Sequence, residues 1–179
     1  MKSFFKEINL KVKSLKLKIF NKFIVENNKI NTGKNIISFL NTKIKTKYNE
    51  KDQLITFASD NSRLNSSKID YKGELSINPF DLDLNIDLGK YKISKLFNFA
   101  PIPKEFLKTE LLFNNNLALR LSILAKTNAL DEIFQSAKIN FNIINGKINL
   151  DQTTFTNNKI GLLQLENSNL FIKDNQLIL

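Results

Sequence analysis

Three aspartates at alternating positions are the residues in this chain whose spacing best suits chemistry. Asp81, Asp83 and Asp87 lie on one side of a run that alternates between polar and apolar residues. Their carboxylates would share one face of a β-strand and could bind a hard cation. The same spacing is typical of the solvated outer face of an antiparallel strand, which is the interpretation we favour. The sequence therefore predicts no metal site.

Lysines are expected to solvate the first strand in the same way. Lys11, Lys16 and Lys18 would pair with the aspartates if the two strands were neighbours. The net charge of +10 comes from 25 lysines and 2 arginines, and the lysines are scattered from Lys2 to Lys173. Nucleic-acid readers rely on arginine and cluster their basic residues, so we expect no nucleic acid partner. The charge still favours anionic membrane surfaces and other polyanions, and such binding would weaken with added salt.

The groups that catalysis requires are missing. The chain has no histidine, no cysteine and no glycine-rich phosphate loop. We therefore predict that the protein is not an enzyme, that it has no catalytic residues and that it needs no cofactor. The pair Asp131-Glu132 is expected to begin a helical turn. Residues 1–20 alternate lysine with apolar residues and contain no run that would serve as a signal peptide or a membrane span.

Alternation with a period of two dominates the chain and predicts β-strands. The clearest run, Phe80 to Leu88, has an apolar residue at every second position. Near the start, the alternation from Ile8 to Val12 slips by one residue at Ser14 and resumes from Leu15 to Ile19, which predicts a β-bulge. Further alternating runs are found at 117–123, 139–143 and 148–150.

Asparagine-rich turns divide the last third of the chain into short strands. Asn145-Gly146 lies between two alternating runs and predicts a type I′ hairpin turn. Further turns are expected at Asn157-Asn158, Asn167 to Asn169 and Asp174-Asn175, with strands at Ile160 to Leu165, Leu170 to Ile172 and Leu177 to Leu179. The last strand would leave an edge for a continuing chain or a partner to cover.

One region, about 90–113, breaks the β pattern and predicts a helical insert. Tyr91 with Ser94 to Phe97, and then Lys104 to Phe113, have helix-like apolar spacing. Pro103 suits the first turn of the second helix, because a missing N–H costs nothing there. A third helical turn is expected at Leu130 to Phe134.

The apolar strand faces admit two architectures. They could form the core of a closed β-sandwich or of a sheet covered by the helices. Alternatively, they could line an elongated, curved antiparallel sheet, an open β-groove whose inner face receives acyl chains. The lipid-facing candidates are Ile8, Leu10, Val12, Leu17, Leu82, Leu84, Ile86, Leu119 and Leu121. Alternation alone does not separate the two architectures.

The order of several short motifs resembles the AsmA-like family of bacterial envelope proteins. In the first half these are Thr32-Gly33, Asn41-Thr42-Lys43, Ser66 to Gly73 and Pro79-Phe80 leading into an alternating strand. In the tail they are Phe141 to Ile148, Ile160 to Leu163 and Asn167 to Leu170. The motifs consist of turn glycines and alternation, and together they cover most of the chain.

The resemblance implies an open β-groove for phospholipids in a large protein of the periplasm, anchored in the inner membrane by an N-terminal helix. Residues 1–179 would be a single β-rich segment near the C-terminus of that longer protein, with the anchor upstream. Its role would be phospholipid transport or outer-membrane assembly and homeostasis, with acyl chains as its partners. The alternative is a self-contained β scaffold or adhesion module that binds another protein.

Overall fold

The chain folds mainly as β-structure, and 15 strands join in one sheet in the computed structural model. The structure describes residues 3–26, 29–65, 67–97, 111–127, 129, 132–173 and 176–178. The first eight strands are β1 (Ser3–Val12), β2 (Leu17–Glu26), β3 (Lys29–Phe39), β4 (Thr42–Lys51), β5 (Leu54–Ser59), β6 (Ser62–Leu64), β7 (Ser67–Ile77) and β8 (Phe80–Lys90). The others are β9 (Leu117–Lys126), β10 (Ser136–Ile144), β11 (Lys147–Asn149), β12 (Thr154–Asn157), β13 (Gly161–Gln164), β14 (Asn169–Lys173) and β15 (Gln176–Ile178). The predicted mainly β class is confirmed.

The strands lie in the sheet nearly in chain order. The path runs β1-β2-β3-β4-β5-β7-β8-β9-β10-β11-β14-β15, while β6 pairs with β4 and β7, and β12 pairs with β10 and β13. Among the described strands, only β8 and β9 pair in parallel. The prediction of an antiparallel sheet is wrong for this pair, because the chain leaves β8 at Lys90 and begins β9 at Leu117, beside Phe80. A parallel pair requires a long crossover of this kind.

The slip in alternation at Ser14 is a hairpin turn, so the predicted β-bulge is wrong. Residues 13–16 form the turn between β1 and β2, which are 10 residues each. Val12 pairs with Leu17 across this turn. Because directly paired residues point to the same face, the hairpin brings both apolar rows to one face without an extra residue in either strand.

The predicted Asn145-Gly146 hairpin is confirmed. Both residues have positive φ, 52° and 67°, and the turn joins β10 to β11. Strands are also found where the tail predicts them, as β13 and β14. The turn at Asp174-Asn175 and the residue Leu179 lie outside the described residues.

The crossover begins with one helical turn. Helix α1 is Ser94–Phe97, and Leu111–Phe113 form a 3₁₀ turn. Residues 98–110, with most of the predicted second helix, lie outside the described residues, so the insert of two helices stays a prediction.

The helical turn predicted at Leu130 to Phe134 is wrong for the residues described, 132–134, which form no helix. Glu132 is buried, and its carboxylate accepts hydrogen bonds from the backbone N–H and the hydroxyl of Ser94, at 2.8 Å and 2.7 Å. It therefore caps α1 instead of starting a helix. Asp131 lies outside the described residues.

Strand pairing is interrupted at two places, between β5 and β6 and between β11 and β12. At each break, a buried side-chain hydroxyl forms the hydrogen bonds to the neighbouring strand. At the break between β5 and β6, Ser62 donates to the carbonyl of Lys45 at 2.9 Å and accepts from its N–H at 2.8 Å. Between β11 and β12, Thr153 bonds in the same way to the carbonyl and the N–H of Asn140, at 3.1 Å and 3.0 Å. The Ser62 hydroxyl thus provides an acceptor for the Lys45 N–H, while the Lys45 carbonyl also accepts from the N–H of Asp60 at 2.8 Å.

Ser62→Ala is expected to lower the free energy of unfolding by about 2 kcal/mol, because it leaves the backbone N–H of Lys45 without its acceptor at a site that is 0% exposed. Urea denaturation followed by circular dichroism measures this change. The matched control is Ser76→Ala in β7, a half-buried serine whose hydroxyl forms no hydrogen bond with the described residues. It should change stability by less than about 0.5 kcal/mol. Equal losses in the two variants would contradict the role given to the Ser62 hydroxyl.

Candidate functional site

One face of the sheet is apolar across eight neighbouring strands. Directly paired residues point to the same face, so the register assigns each side chain to a face. Successive pairs link one residue per strand from β2 to β10 in what we call the central apolar row: Phe23, Gly33, Tyr48, Phe57, Gly73, Leu84, Leu121 and Phe141. We call the side that carries this row the apolar face, and the opposite side the polar face.

Two further rows extend the apolar face towards both ends of the sheet. One consists of Leu10, Ile19, Ile37 and Ile44, on β1 to β4. The other consists of Leu82, Leu119, Ile143, Ile148 and Leu170, on β8, β9, β10, β11 and β14. The apolar face therefore reaches from β1 to β14 in a single sheet.

All nine lipid-facing candidates lie on the apolar face. Register pairs join Leu82 to Leu119 and Leu84 to Leu121, with Ile86 on the same side of β8. The other four candidates lie on β1 and β2, separated from β8 by the intervening strands β3, β4, β5 and β7. Ile8 and Leu10 are exposed and the other seven are half-buried, so none of the nine is a buried core residue.

Two glycines of the central apolar row lie under aromatic rings. The motifs predict both as turn glycines, and this prediction is wrong. Gly33 is inside β3 and Gly73 is inside β7. A Cβ on Gly33 would come within 2.3 Å of the Tyr48 ring, and one on Gly73 within 2.6 Å of the Phe57 ring. An aromatic residue opposite a strand glycine covers the backbone that the missing side chain leaves bare. The signal in the sequence that could have identified these two positions is a glycine within an alternating run.

A line of polar residues crosses the apolar face beside the central apolar row. Register pairs join these residues across four strands: Asn21, Asn35, Thr46 and Ser59. The Tyr48 hydroxyl donates to Asn21 Oδ1 at 3.0 Å, and the Tyr71 and Thr46 hydroxyls are 2.7 Å apart. Asn35 Oδ1 is buried and has no hydrogen-bond partner among the described residues. This line, which we call the polar row, was not predicted.

The crossover covers one end of the apolar face. Tyr91 and Ile93 are buried against residues at the ends of β7 to β10 and β12: Ile69, Leu88, Ala125, Ala137 and Phe155. Burial raises the pKa of the Tyr91 hydroxyl. This packed cluster covers the apolar face at the end where β8 and β9 finish. Nearer the start of those strands, Leu82 and Leu119 are half-buried, while Ile143 and Ile148 in the same row are buried.

The aspartate row of β8 is paired by arginine, and the first strand is not its neighbour, so the condition for pairing with the lysines of the first strand is not met. Arg120 on β9 forms salt bridges with Asp81 and, at 3.4 Å, with Asp83. The lysines of β1 are too far away, because five strands lie between β1 and β8 along the path of the sheet. Asp87 accepts a hydrogen bond from the N–H of Gly89 at 2.8 Å. No group of carboxylates suited to a metal ion is found among the described residues.

Ion pairs and turn contacts lower the pKa of three aspartates elsewhere. The hydrogen bond from Lys47 lowers the pKa of Asp60, and that from Lys68 lowers the pKa of Asp70. The backbone N–H of Ser168 lowers the pKa of Asp151, with a further contribution from Asn149. These are contacts within the fold, and they do not create an acid–base pair.

A depression with a volume of 540 Å³ opens on the polar face. Its lining includes Ala58 and Leu124 together with Lys72 and Lys138. Its lining also includes Asp70, which forms a salt bridge with Lys68, and Asp87, which accepts from the N–H of Gly89.

Comparison with protein-family models, with curated proteins and with solved structures finds no match. In the part of the chain that the structure describes, no helix is long and apolar enough to cross a membrane. The resemblance to the AsmA-like family therefore stays a prediction.

Proposed function

We propose that this chain is a non-catalytic β-groove segment of an AsmA-like envelope protein and that its apolar face holds phospholipid acyl chains. The observation that carries the proposal is the continuous apolar face of a single sheet on which none of the nine candidate residues is buried. A closed sandwich would bury these side chains under a second layer. All 15 strands described belong to one sheet.

The size of the apolar face suits acyl chains. Eight neighbouring strands span roughly 34 Å, while the acyl layer of one leaflet is about 15 Å thick. Each methylene that leaves water for an apolar surface contributes about 0.8 kcal/mol, so ten sheltered methylenes contribute roughly 8 kcal/mol. The face thus has the length and the chemistry to hold two chains end to end.

The polar row provides hydrogen-bonding groups for the part of a phospholipid where its acyl chains begin. Asn21, Asn35 and Thr46 present amide and hydroxyl groups within an otherwise apolar surface. Ester and phosphate oxygens of a phospholipid accept hydrogen bonds from such groups. In this proposal the glycerol region of a lipid lies at the polar row and its chains extend along the central apolar row.

The cellular setting follows from the same proposal. The segment would act in the periplasm, in a longer protein anchored in the inner membrane, and would serve phospholipid transport or outer-membrane assembly. A reporter fused within the full-length gene would report the location of the segment. A cytoplasmic location would contradict this part of the proposal.

Lipid extraction tests the groove directly. The chain, purified without detergent, should carry phospholipid at a stoichiometric level, measured by mass spectrometry of an organic extract. A soluble β-protein of similar size and charge, purified in parallel, controls for carry-over. Phospholipid at or below the level of this control would contradict the groove.

A β scaffold that binds another protein is the second candidate function, and the open edges of the sheet favour it. Among the described residues, β1 and β15 each pair with only one strand, and Phe4 and Phe5 on β1 are exposed. An unpaired strand is a template for pairing with another chain. If the protein is a lipid-free monomer that stays soluble at high concentration, the protein-binding scaffold is favoured over the groove, because an open apolar face promotes association.

A further inference from the structure

Five basic side chains lie in register across neighbouring strands at one end of the sheet. Register pairs run from β1 through β2, β3, β4 and β6 to β7, and join Lys11, Lys18, Ser38, Lys43, Arg63 and Lys68. All five basic residues are exposed and all point to the polar face. We call these five residues the basic row.

The basic row is poorly compensated by the rest of the protein. Lys11 is directly opposite Lys18, and Arg63 is directly opposite both Lys43 and Lys68. Like charges placed opposite each other on paired strands are destabilising. Of these five residues, only Lys68 has an acidic partner within the described part of the chain, in its salt bridge to Asp70. An anionic partner outside the chain would relieve this repulsion.

The turns next to the basic row carry exposed leucines. Leu15, in the turn between β1 and β2, is 56% exposed, and Leu40, in the turn between β3 and β4, is 67% exposed. Exposed Lys13 and Lys16 flank Leu15 in the same turn. The two turns are two strands apart, about 10 Å. An apolar residue flanked by lysines at the tip of a turn matches the boundary between lipid headgroups and acyl chains.

The opposite ends of the same strands have a different character. The turn between β4 and β5 is Asp52-Gln53, and Glu50 accepts a hydrogen bond from the N–H of Gln53 at 3.1 Å. Exposed Lys51 and Leu54 adjoin this turn, but the two residues at its tip are polar. The turn between β4 and β5 therefore differs from the turns next to the basic row, where a leucine lies at the tip.

We propose that the basic row and the leucine turns form a docking surface for an anionic lipid bilayer. The lysines contact phosphate groups, and Leu15 and Leu40 insert into the headgroup region. A nucleic acid is disfavoured as the partner because the leucines would have no role and a single arginine stands among four lysines. This docking surface lies on the polar face and its turns, so it does not depend on acyl chains occupying the apolar face.

Binding to vesicles tests the surface. The variant is K11Q/K18Q/K43Q, and the control K51Q/K72Q/K138Q removes the same number of exposed lysines away from the basic row. On vesicles containing 30% phosphatidylglycerol in phosphatidylcholine, the variant should bind about one hundredfold more weakly than the wild type, since each lysine near an anionic surface contributes roughly a fivefold change and the variant removes three. The control should stay within about fivefold of the wild type. Equal losses in the variant and the control, or equal binding to pure phosphatidylcholine, would overturn the proposal.

The leucines distinguish a bilayer from another polyanion. L15S/L40S should weaken vesicle binding about tenfold and should not change binding to single-stranded RNA. If L15S/L40S does not affect vesicle binding and the protein binds RNA more tightly than vesicles, the partner of this surface is a nucleic acid and not a bilayer. Circular dichroism checks folding, and the K11Q/K18Q/K43Q variant should melt no lower than the wild type because it removes repulsion. Lipid extraction reports on the groove separately, so the failure of one proposal is distinguishable from that of the other.

Discussion

Leu121→Lys is expected to leave the sheet folded and to remove the phospholipid that purifies with the protein. Leu121 is half-buried in the central apolar row, between Leu84 and Phe141. A lysine there can extend its stem along the face and keep the ammonium in water, so the free energy of unfolding should fall by only about 1 kcal/mol. Acyl chains at the same place would contact the charge, and bound phospholipid should fall at least about tenfold.

The adjacent residue provides the matched control. Ser122 follows Leu121 on β9 and points to the polar face, where it pairs with Asn85 and Asn140. Ser122→Lys adds the same charge one position away and should leave bound phospholipid unchanged. Mass spectrometry of the extract, made beside circular dichroism melting, measures both quantities. If the wild type carries no lipid and the Leu121→Lys protein fails to fold, the groove hypothesis is contradicted and the closed sandwich is favoured.

Gly73→Ala is expected to destabilise the protein more than any other substitution considered, by about 3 kcal/mol or more. A Cβ at Gly73 would lie 2.3 Å from the backbone carbonyl oxygen of Asp83 and 2.6 Å from the Phe57 ring. The ring can move, but the carbonyl belongs to the neighbouring strand and can move only if the pairing of β7 with β8 is distorted.

Gly33→Ala separates the effect of the backbone carbonyl from the effect of the aromatic ring. Its Cβ would meet only the outer atoms of the Tyr48 ring, at 2.3 Å, and a side chain can swing aside. We expect a loss of about 1 kcal/mol, part of it from the bond between Tyr48 and Asn21. Chemical denaturation of the two variants measures the difference. A Gly33→Ala protein as unstable as Gly73→Ala would show that the ring, and not the carbonyl, limits the space.

Much of the local structure was predictable because it depends on neighbouring residues. Alternation from Phe80 to Leu88 predicts a strand, and β8 is Phe80–Lys90. Asn145-Gly146 predicts a hairpin because few residue pairs accept positive φ at two successive positions. The prediction of a bulge at Ser14 is wrong because a bulge and a hairpin turn interrupt alternation in the same way. Only the pairing of Val12 with Leu17 distinguishes them.

The candidate site was predicted in part. Alternation places Leu84 and Leu121 on the apolar sides of their own strands, but it does not say which strands are neighbours. The parallel pairing of β8 with β9 brings these two leucines together and brings Arg120 to the aspartates. The polar row and the basic row each need the register of four or more strands, so scattered asparagines and lysines gave no sign of either.

The sequence by itself determined that this chain is β-structure with one apolar side to each strand, and that it has no histidine or cysteine for catalysis. Those properties are local, since the side of a strand on which a residue lies depends only on its position in the alternation. The tertiary structure decided which faces join, which charges meet and which glycines lie under rings. Such features depend on contacts between residues far apart in the chain. Lys11 and Lys68 belong to one basic row because β1, β2, β3, β4, β6 and β7 pair in that order, and no spacing within the sequence encodes that order.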